Sequence, residues 1–207
     1  MSFFRRKQKP LARPEWLIVG LGNPGGEYSG TRHNVGFEVV RVLSERHKIV
    51  LKTRRFEANF GTGRIGDTEV VLVRPMTFMN LSGRAVGALA RHFNVPADRV
   101  VVVFDEMDLP VARVQVKPFG GPGTHNGMKS LADHIGKEFP RVRIGIGKPA
   151  LAGVDHVLSH FDRDEIPVMR EAIDRAADAC EAVVRGGIEN AMNLINLPKE
   201  GGGNSQD

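Results

Sequence analysis

The first stretch with a chemical signature is Gly20-Leu21-Gly22-Asn23-Pro24-Gly25, a Gly-x-Gly-x-x-Gly pattern directly after an apolar run. Such a loop cradles a dinucleotide only if a helix begins inside it, so that the helix N-terminus meets the pyrophosphate. Pro24-Gly25-Gly26 is followed by Tyr28, Ser29 and Gly30, so no helix starts before Thr31. The acid about 20 residues on, the spacing at which a ribose-binding acid is expected, is Glu45, inside a helical pattern instead of at a strand end. The loop is therefore read as an active-site loop, with a plain chain-turning loop as the alternative. Four polar clusters follow apolar runs: Asn23…Tyr28…His33-Asn34, Met79-Asn80, Asp105-Glu106-Met107-Asp108 and His125-Asn126. Loops leaving one edge of an α/β sheet converge on one cleft. Imidazole, carboxylate and amide groups gathered there are suited to moving protons and holding carbonyls.

The elements that must position these groups alternate between strand and helix. Trp16–Leu21 reads as a buried strand, and residues 31–47 as a helix with Val35, Val39, Val42 and Leu43 on one face. Phe56–Ile65 and Glu69–Val73 flank Gly66-Asp67, a hairpin signal. Ser82–Phe93 is a helix with Val86, Leu89 and Phe93 inward, and Val100–Phe104 a central, β-branched strand. Val111–Val116 reads as a half-buried strand, Gly127–Ile135 as a short helix and Val142–Ile146 as a further strand. Residues 163–185 form a long amphipathic helix and Ile188–Ile195 a short last one. The pattern predicts an α/β fold: one three-layer domain over residues 15–197, a mixed twisted sheet with helices on both faces. Residues 1–14 read as a disordered basic extension and 198–207 as a flexible tail.

The chain has 207 residues, is 41% hydrophobic and carries a net charge of +5. No apolar run approaches the roughly 18 residues of a membrane span, no signal peptide is visible, and a cytoplasmic protein is expected. The lone Cys180 excludes an internal disulfide and a cysteine-based zinc site. It lies in an acidic helix, which disfavours the thiolate a nucleophile needs. The net charge sits on Arg5, Arg6, Lys7, Lys9 and Arg13; beyond them, acids and bases balance at 24 each. That balance is uneven. Residues 110–148 hold seven Lys/Arg against Asp133 and Glu138, whereas 151–200 hold ten acids against five bases. The oriented field favours a polyanion at one face.

The blocks Gly20–Gly25, Tyr28, Thr31-Arg32-His33-Asn34-Val35-Gly36, Pro75–Gly83, Asp105–Pro110 and His125-Asn126-Gly127 together resemble the bacterial-type peptidyl-tRNA hydrolase family, in order and spacing, from about Trp16 to Asn196. The resemblance implies hydrolysis of the ester joining a peptide to the 3′ end of tRNA, recycling tRNA dropped from stalled ribosomes. It implies His33 as the base that activates water and Asp105 as the acid that supports it. Imidazole, with a pKa near ~6.5, suits proton removal at neutral pH, and a carboxylate on its far nitrogen fixes the tautomer. Asn23 matches the residue that tells peptidyl-tRNA from aminoacyl-tRNA, a task for an amide that a cationic α-amino group cannot satisfy. Asn80 and Asn126 match substrate-binding residues that hold the peptide backbone, the water or the oxyanion, with the division open. Tyr28, Phe78 and Met79 match channel-lining positions. Lys117 and Arg143 match positions that grip tRNA phosphates, an affinity that is sequence-independent and salt-sensitive.

Competing readings accompany each residue. Asn126 also fits the N-cap of the helix beginning at Gly127, and Asp105 a turn closed with Asp108. His125, between Gly123 and Gly127, reads as part of a turn, or else as a second base or a metal ligand with His33 and Asp105. The resemblance implies neither metal nor cofactor, and a monomer. His47, His92, His134, His156 and His160 carry no motif. Pro122 and Thr124 depart from the family's usual Gly or His, which stiffens that loop. The alternatives in function are an RNA-binding module without catalysis, which would be free to lose the histidine, acid and amides, and a nucleotide-dependent oxidoreductase, which the late helix start opposes.

Overall fold

The computed structural model describes residues 13–148 and 153–197; the N-terminal extension up to residue 12 and the tail from 198 lie outside them. The chain runs β1 (Trp16–Gly20), α1 (Val35–His47), β2 (Thr53–Arg55), β3 (Ala58–Ile65), β4 (Thr68–Pro75), α2 (Ser82–Phe93), β5 (Val100–Glu106), β6 (Val114–Lys117), α3 (Asn126–Ile135), β7 (Arg141–Gly145), α4 (Gly153–Leu158) and α5 (Glu165–Asn196). The seven strands form one sheet in the order β2-β3-β4-β1-β5-β7-β6. Strands β4, β1, β5 and β7 are parallel, while β3 and β6 run antiparallel to their neighbours. The mixed, three-layer fold expected from the sequence is the fold observed.

Alternation along the buried strands sorts the core into two layers. Ile18, Val70, Leu72, Val101, Val103, Val142 and Ile144 face α1 and α5. Leu17, Val19, Val71, Val73, Val100, Val102 and Phe104 face α2 and α3. The hairpin register pairs Ile65 with Thr68 around Gly66-Asp67, and Gly66 takes φ 61°, as the first position of such a turn requires of glycine.

Several expected boundaries shift for local reasons. Helix α1 begins at Val35, after a separate 3-10 turn over Arg32–Asn34. Strand β3 begins at Ala58, because Phe56 and Glu57 both take positive φ and turn the chain from β2. Strand β6 begins at Val114, because Ala112 sits at φ 64° in a turn closed by Arg113 N–H donating to the Pro110 carbonyl at 3.1 Å. Strand β2, three exposed polar residues, and helix α4, only six residues long, were not foreseen. The long C-terminal helix breaks where its sequence pattern does, at Gly187 (φ 81°, ψ 171°). On the open side of β6, the Asn196 side chain takes the place of another strand: it accepts from Val116 N–H at 2.8 Å and donates to the Val116 carbonyl at 2.9 Å.

The parallel strands end on one edge of the sheet, and there the chain is drawn tight. At Gly36 a Cβ would lie 2.5 Å from both the Leu21 nitrogen and the Val103 carbonyl oxygen. Only glycine lets the first turn of α1 rest on the ends of β1 and β5, and this seats His33 beside Asp105.

Candidate active site

His33 lies in the turn before α1, and Asp105 near the end of β5. The His33 Nδ1 is 2.9 Å from both Asp105 carboxylate oxygens. His125 approaches the same group from the other side, its Nε2 3.0 Å from Oδ1. The two imidazoles are tilted, with centroids 5.0 Å apart. Burial by itself would raise the Asp105 carboxyl, but the charges and hydrogen bonds of His125 and His33 outweigh it and hold the group well below the usual carboxylate range. Asp105 is 2% exposed, so an ionised form without these partners would be strongly disfavoured.

His125 is the residue the sequence reading undervalued. It is the N-cap of α3, its Nδ1 accepting from Met128 N–H at 3.3 Å. Asn126 is thus not the cap but the first helical residue, and it is exposed. Asp105 likewise does not close a turn with Asp108; Asp108 N–H donates to Glu106 at 3.2 Å instead. Ligand atoms of His33, Asp105 and His125 lie within 4.8 Å of one another, a spacing compatible with a metal. Each ring, however, spends the nitrogen facing Asp105 on a hydrogen bond to it. That fits a hydrogen-bonded triad held by one carboxylate better than a donor set turned toward an ion.

Beside this triad, the amides of Asn23 and Asn34 tie two loops together. Asn23 N–H donates to the Asn34 side-chain oxygen at 2.8 Å, and the Asn34 amide returns a bond to the Asn23 carbonyl at 3.0 Å. Asn34, next to His33, thereby clamps the Gly22–Pro24 loop to the histidine turn. The Asn23 side-chain oxygen accepts from Met79 N–H at 2.8 Å, which aims its NH₂ group away from that bond. Met79, 5% exposed, packs its sulfur against Gly127 at the start of α3 and so belongs to the core more than to a channel wall. Asn80 is exposed on the same tight turn (Met79–Leu81), and Phe78 before it is 58% exposed. Tyr28 is half-buried; its carbonyl accepts from the Thr31 hydroxyl at 2.8 Å, and its ring makes no hydrogen bond to the triad.

A second buried anchor was missed altogether. Arg32, 5% exposed, makes a two-pronged bond to Glu165 at the start of α5 (3.2 and 2.6 Å) and stacks on Phe161 at 4.6 Å. Its N–H donates to the Ser159 carbonyl at 2.9 Å. The histidine turn is thus fixed from behind by the α4–α5 segment.

Lys117 and Arg143 do share a cavity, of about 160 Å³, with Glu106, His125, Arg141 and the loop Gly120–Thr124. Their states differ. Lys117 is exposed, whereas both branches of Arg143 are spent on Glu106 (3.0 and 2.7 Å) and Gln115. Arg141, which carried no motif, is 4% exposed and donates to the Gly120 and Gly121 carbonyls, shaping that loop. Cys180 is buried, and desolvation followed by Glu181 and Asp178 pushes its thiol far above the ordinary range.

A three-layer α/β domain with an imidazole–carboxylate–imidazole cluster ringed by amides at the strand ends is a compact description of this molecule. The chain belongs to the peptidyl-tRNA hydrolase family, whose model matches residues 17–202. It is 46% identical over 181 residues to the peptidyl-tRNA hydrolase of Syntrophomonas wolfei, covering 87% of this chain and 99% of that one. It is 46% identical to the enzyme of Chloroflexus aggregans, covering 87% and 98%. The crystal structure of peptidyl-tRNA hydrolase from Acinetobacter baumannii superposes with a TM-score of 0.85 at 38% identity, over 90% of this chain and 97% of that one. Among the described residues no helix is long and apolar enough to cross a membrane.

Proposed function

We propose that this protein hydrolyses the ester between the peptide and the 3′ ribose of peptidyl-tRNA, with residues 15–197 as the catalytic unit. His33 acts as the base. Asp105 holds Nδ1 as the N–H tautomer, which leaves Nε2 to take a proton from water. The water oxygen attacks the ester carbonyl, and the oxyanion that forms is met by amide NH₂ groups. The carbon–oxygen bond to the ribose then breaks, and the proton on Nε2 passes to the departing ribose oxygen. Asp105 stays ionised throughout, and His125 fixes its orientation from the other side.

Asn23 is proposed to bind the peptide next to the ester, Asn80 and Asn126 to hold backbone or oxyanion, and Tyr28 and Phe78 to line the approach. Lys117 supplies phosphate contact. The chemistry takes no metal or cofactor, and the reading is of a monomer working in the cytoplasm. The observation that carries it is the His33–Asp105 contact of 2.9 Å to both oxygens, buried at one end and closed by the Asn34–Asn23–Met79 chain of hydrogen bonds. The test is release of the acyl group from N-acetylaminoacyl-tRNA. His33→Ala should lower kcat by about 10²–10⁴-fold while tRNA binding persists; turnover near wild type would refute the assignment.

A further inference from the structure

The sheet edge that carries the candidate active site does not end at Asn23. One trough on this edge is lined by Asn23, Pro24, Asn34, Asn59, Arg74 and Met76. Its continuation is lined by Arg54, Arg55, Glu57, Ala58, Asn59 and Met76. Asn59 and Met76 belong to both, so the two form one path from the amide beside the triad to strand β2. The register explains the path: Arg54 pairs with Asn59 and Asn59 with Arg74, a polar row crossing β2, β3 and β4 on one face.

We infer that this trough binds the peptide part of the substrate and that Arg54 and Arg55 form a subsite for acidic side chains of that peptide. The inference rests on the hydrolytic reading above. Charge complementarity carries it. Of the acids along the path, Glu38 is paired with Arg41 at 2.8 Å and Glu57 with Arg84 at 3.1 Å. Arg54 and Arg55 are exposed and make no salt bridge among the described residues; Arg55 only lies over the Phe56 ring at 4.5 Å. Between them and Asn23 lie Ala58, Met76 and Pro24, with one further arginine, Arg74, which donates to the Phe37 carbonyl at 2.7 Å. The trough starts at Asn23, where the peptide side of the ester is read to bind, and that continuity suits a peptide better than RNA. Phe56 and Glu57, both at positive φ, hold the β2–β3 turn in a geometry that side chains seldom adopt, and so fix where the arginines stand. From β1 to β2 is three strand spacings, about 14 Å. An extended chain covers that in about four residues.

The experiment compares kcat/KM of N-acetylpentapeptidyl-tRNAs that carry Glu, Ala or Lys four residues before the esterified one, with alanine elsewhere. Wild type should prefer Glu over Lys by about two- to fivefold, the range of an exposed charge pair. Arg54→Glu/Arg55→Glu should reverse the order, and Arg54→Gln/Arg55→Gln should flatten it, a second reading if the reversed variant folds poorly. No charge preference in wild type, or an order unchanged in both variants, overturns the subsite. An equal loss in the variants on every substrate, N-acetylaminoacyl-tRNA included, that fades with added salt would assign the arginines to RNA and overturn it too. Failure of wild type to cleave N-acetylaminoacyl-tRNA would bring down the hydrolytic reading itself, a result distinct from normal cleavage without preference.

Discussion

One Asp105 oxygen accepts from two imidazoles, so an asparagine in its place must present its NH₂ group to at least one ring nitrogen that now donates. Asp105→Asn should therefore lower kcat by about 10²–10⁴-fold, measured on N-acetylaminoacyl-tRNA. The same residue leaves a mark on stability. Its folded pKa is depressed, so its contribution is full above the unfolded carboxylate value of ~3.9 and is lost as pH falls below it. Below about pH 4 the melting temperature of Asp105→Asn should fall less steeply with pH than that of wild type; parallel curves would contradict the linkage. Asn23→Asp keeps an oxygen for Met79 N–H but removes the NH₂ donor. It should narrow the kcat/KM ratio of N-blocked over free aminoacyl-tRNA, and an unchanged ratio would place selectivity elsewhere. His33, Asp105 and Asn23 could be picked out as candidates because each sits in a motif of several residues. His125 and Arg32 sit in such motifs too, but His125 was grouped with Asp105 only as one alternative to a turn, and the Arg32 contact with Glu165 left no pattern because its partner comes from a distant part of the chain.

At the scale of elements, the strongly periodic segments were read almost to the residue. Helix α2 occupies Ser82–Phe93 as expected, because apolar spacing and the Asn94 terminus agree. The starts of β3 and β6 moved because of residues at positive φ: Phe56, Glu57 and Ala112 are types that give no sequence signal for such a conformation. Strand β2 was invisible because all three of its residues are exposed, so no hydrophobic alternation marks it. The break in α5 belongs to the legible part. Gly187 sits at φ 81° and ψ 171°, a region nearly closed to other residues, and nothing lies within 4 Å of a Cβ built there. The cost of Gly187→Ala is thus conformational alone, about 1–3 kcal/mol. Chemical denaturation should report that loss; a value near zero would mean that the two halves of α5 merge into one helix without penalty.

For the whole molecule, the charge asymmetry read from the sequence is partly cancelled inside the fold. Arg46 of α1 takes Asp174, Asp178 and Glu181 of α5 at 2.8, 2.6 and 3.3 Å, so the acidic segment is not a bare field. The basic side divides as well. Lys117→Ala should raise KM for full tRNA and leave kcat largely intact, with the difference shrinking as salt rises. Arg143→Ala should instead lower kcat too, because it strips Glu106, the neighbour of Asp105, of its partner. Equal, KM-only effects of the two would show that the Glu106 pairing is dispensable. The two rims of the sheet have a consequence of another kind. A free strand rim is a template on which a second chain can add, the first step of fibrous aggregation. At β6 that template is already occupied by the Asn196 amide. At β2 it is guarded by Arg54 and Arg55, whose like charges would meet their counterparts in any edge-to-edge pair. The arginines inferred to recruit an acidic peptide would thus also repel another copy of the same chain, and neutralising them should leave the protein more prone to self-association at high concentration.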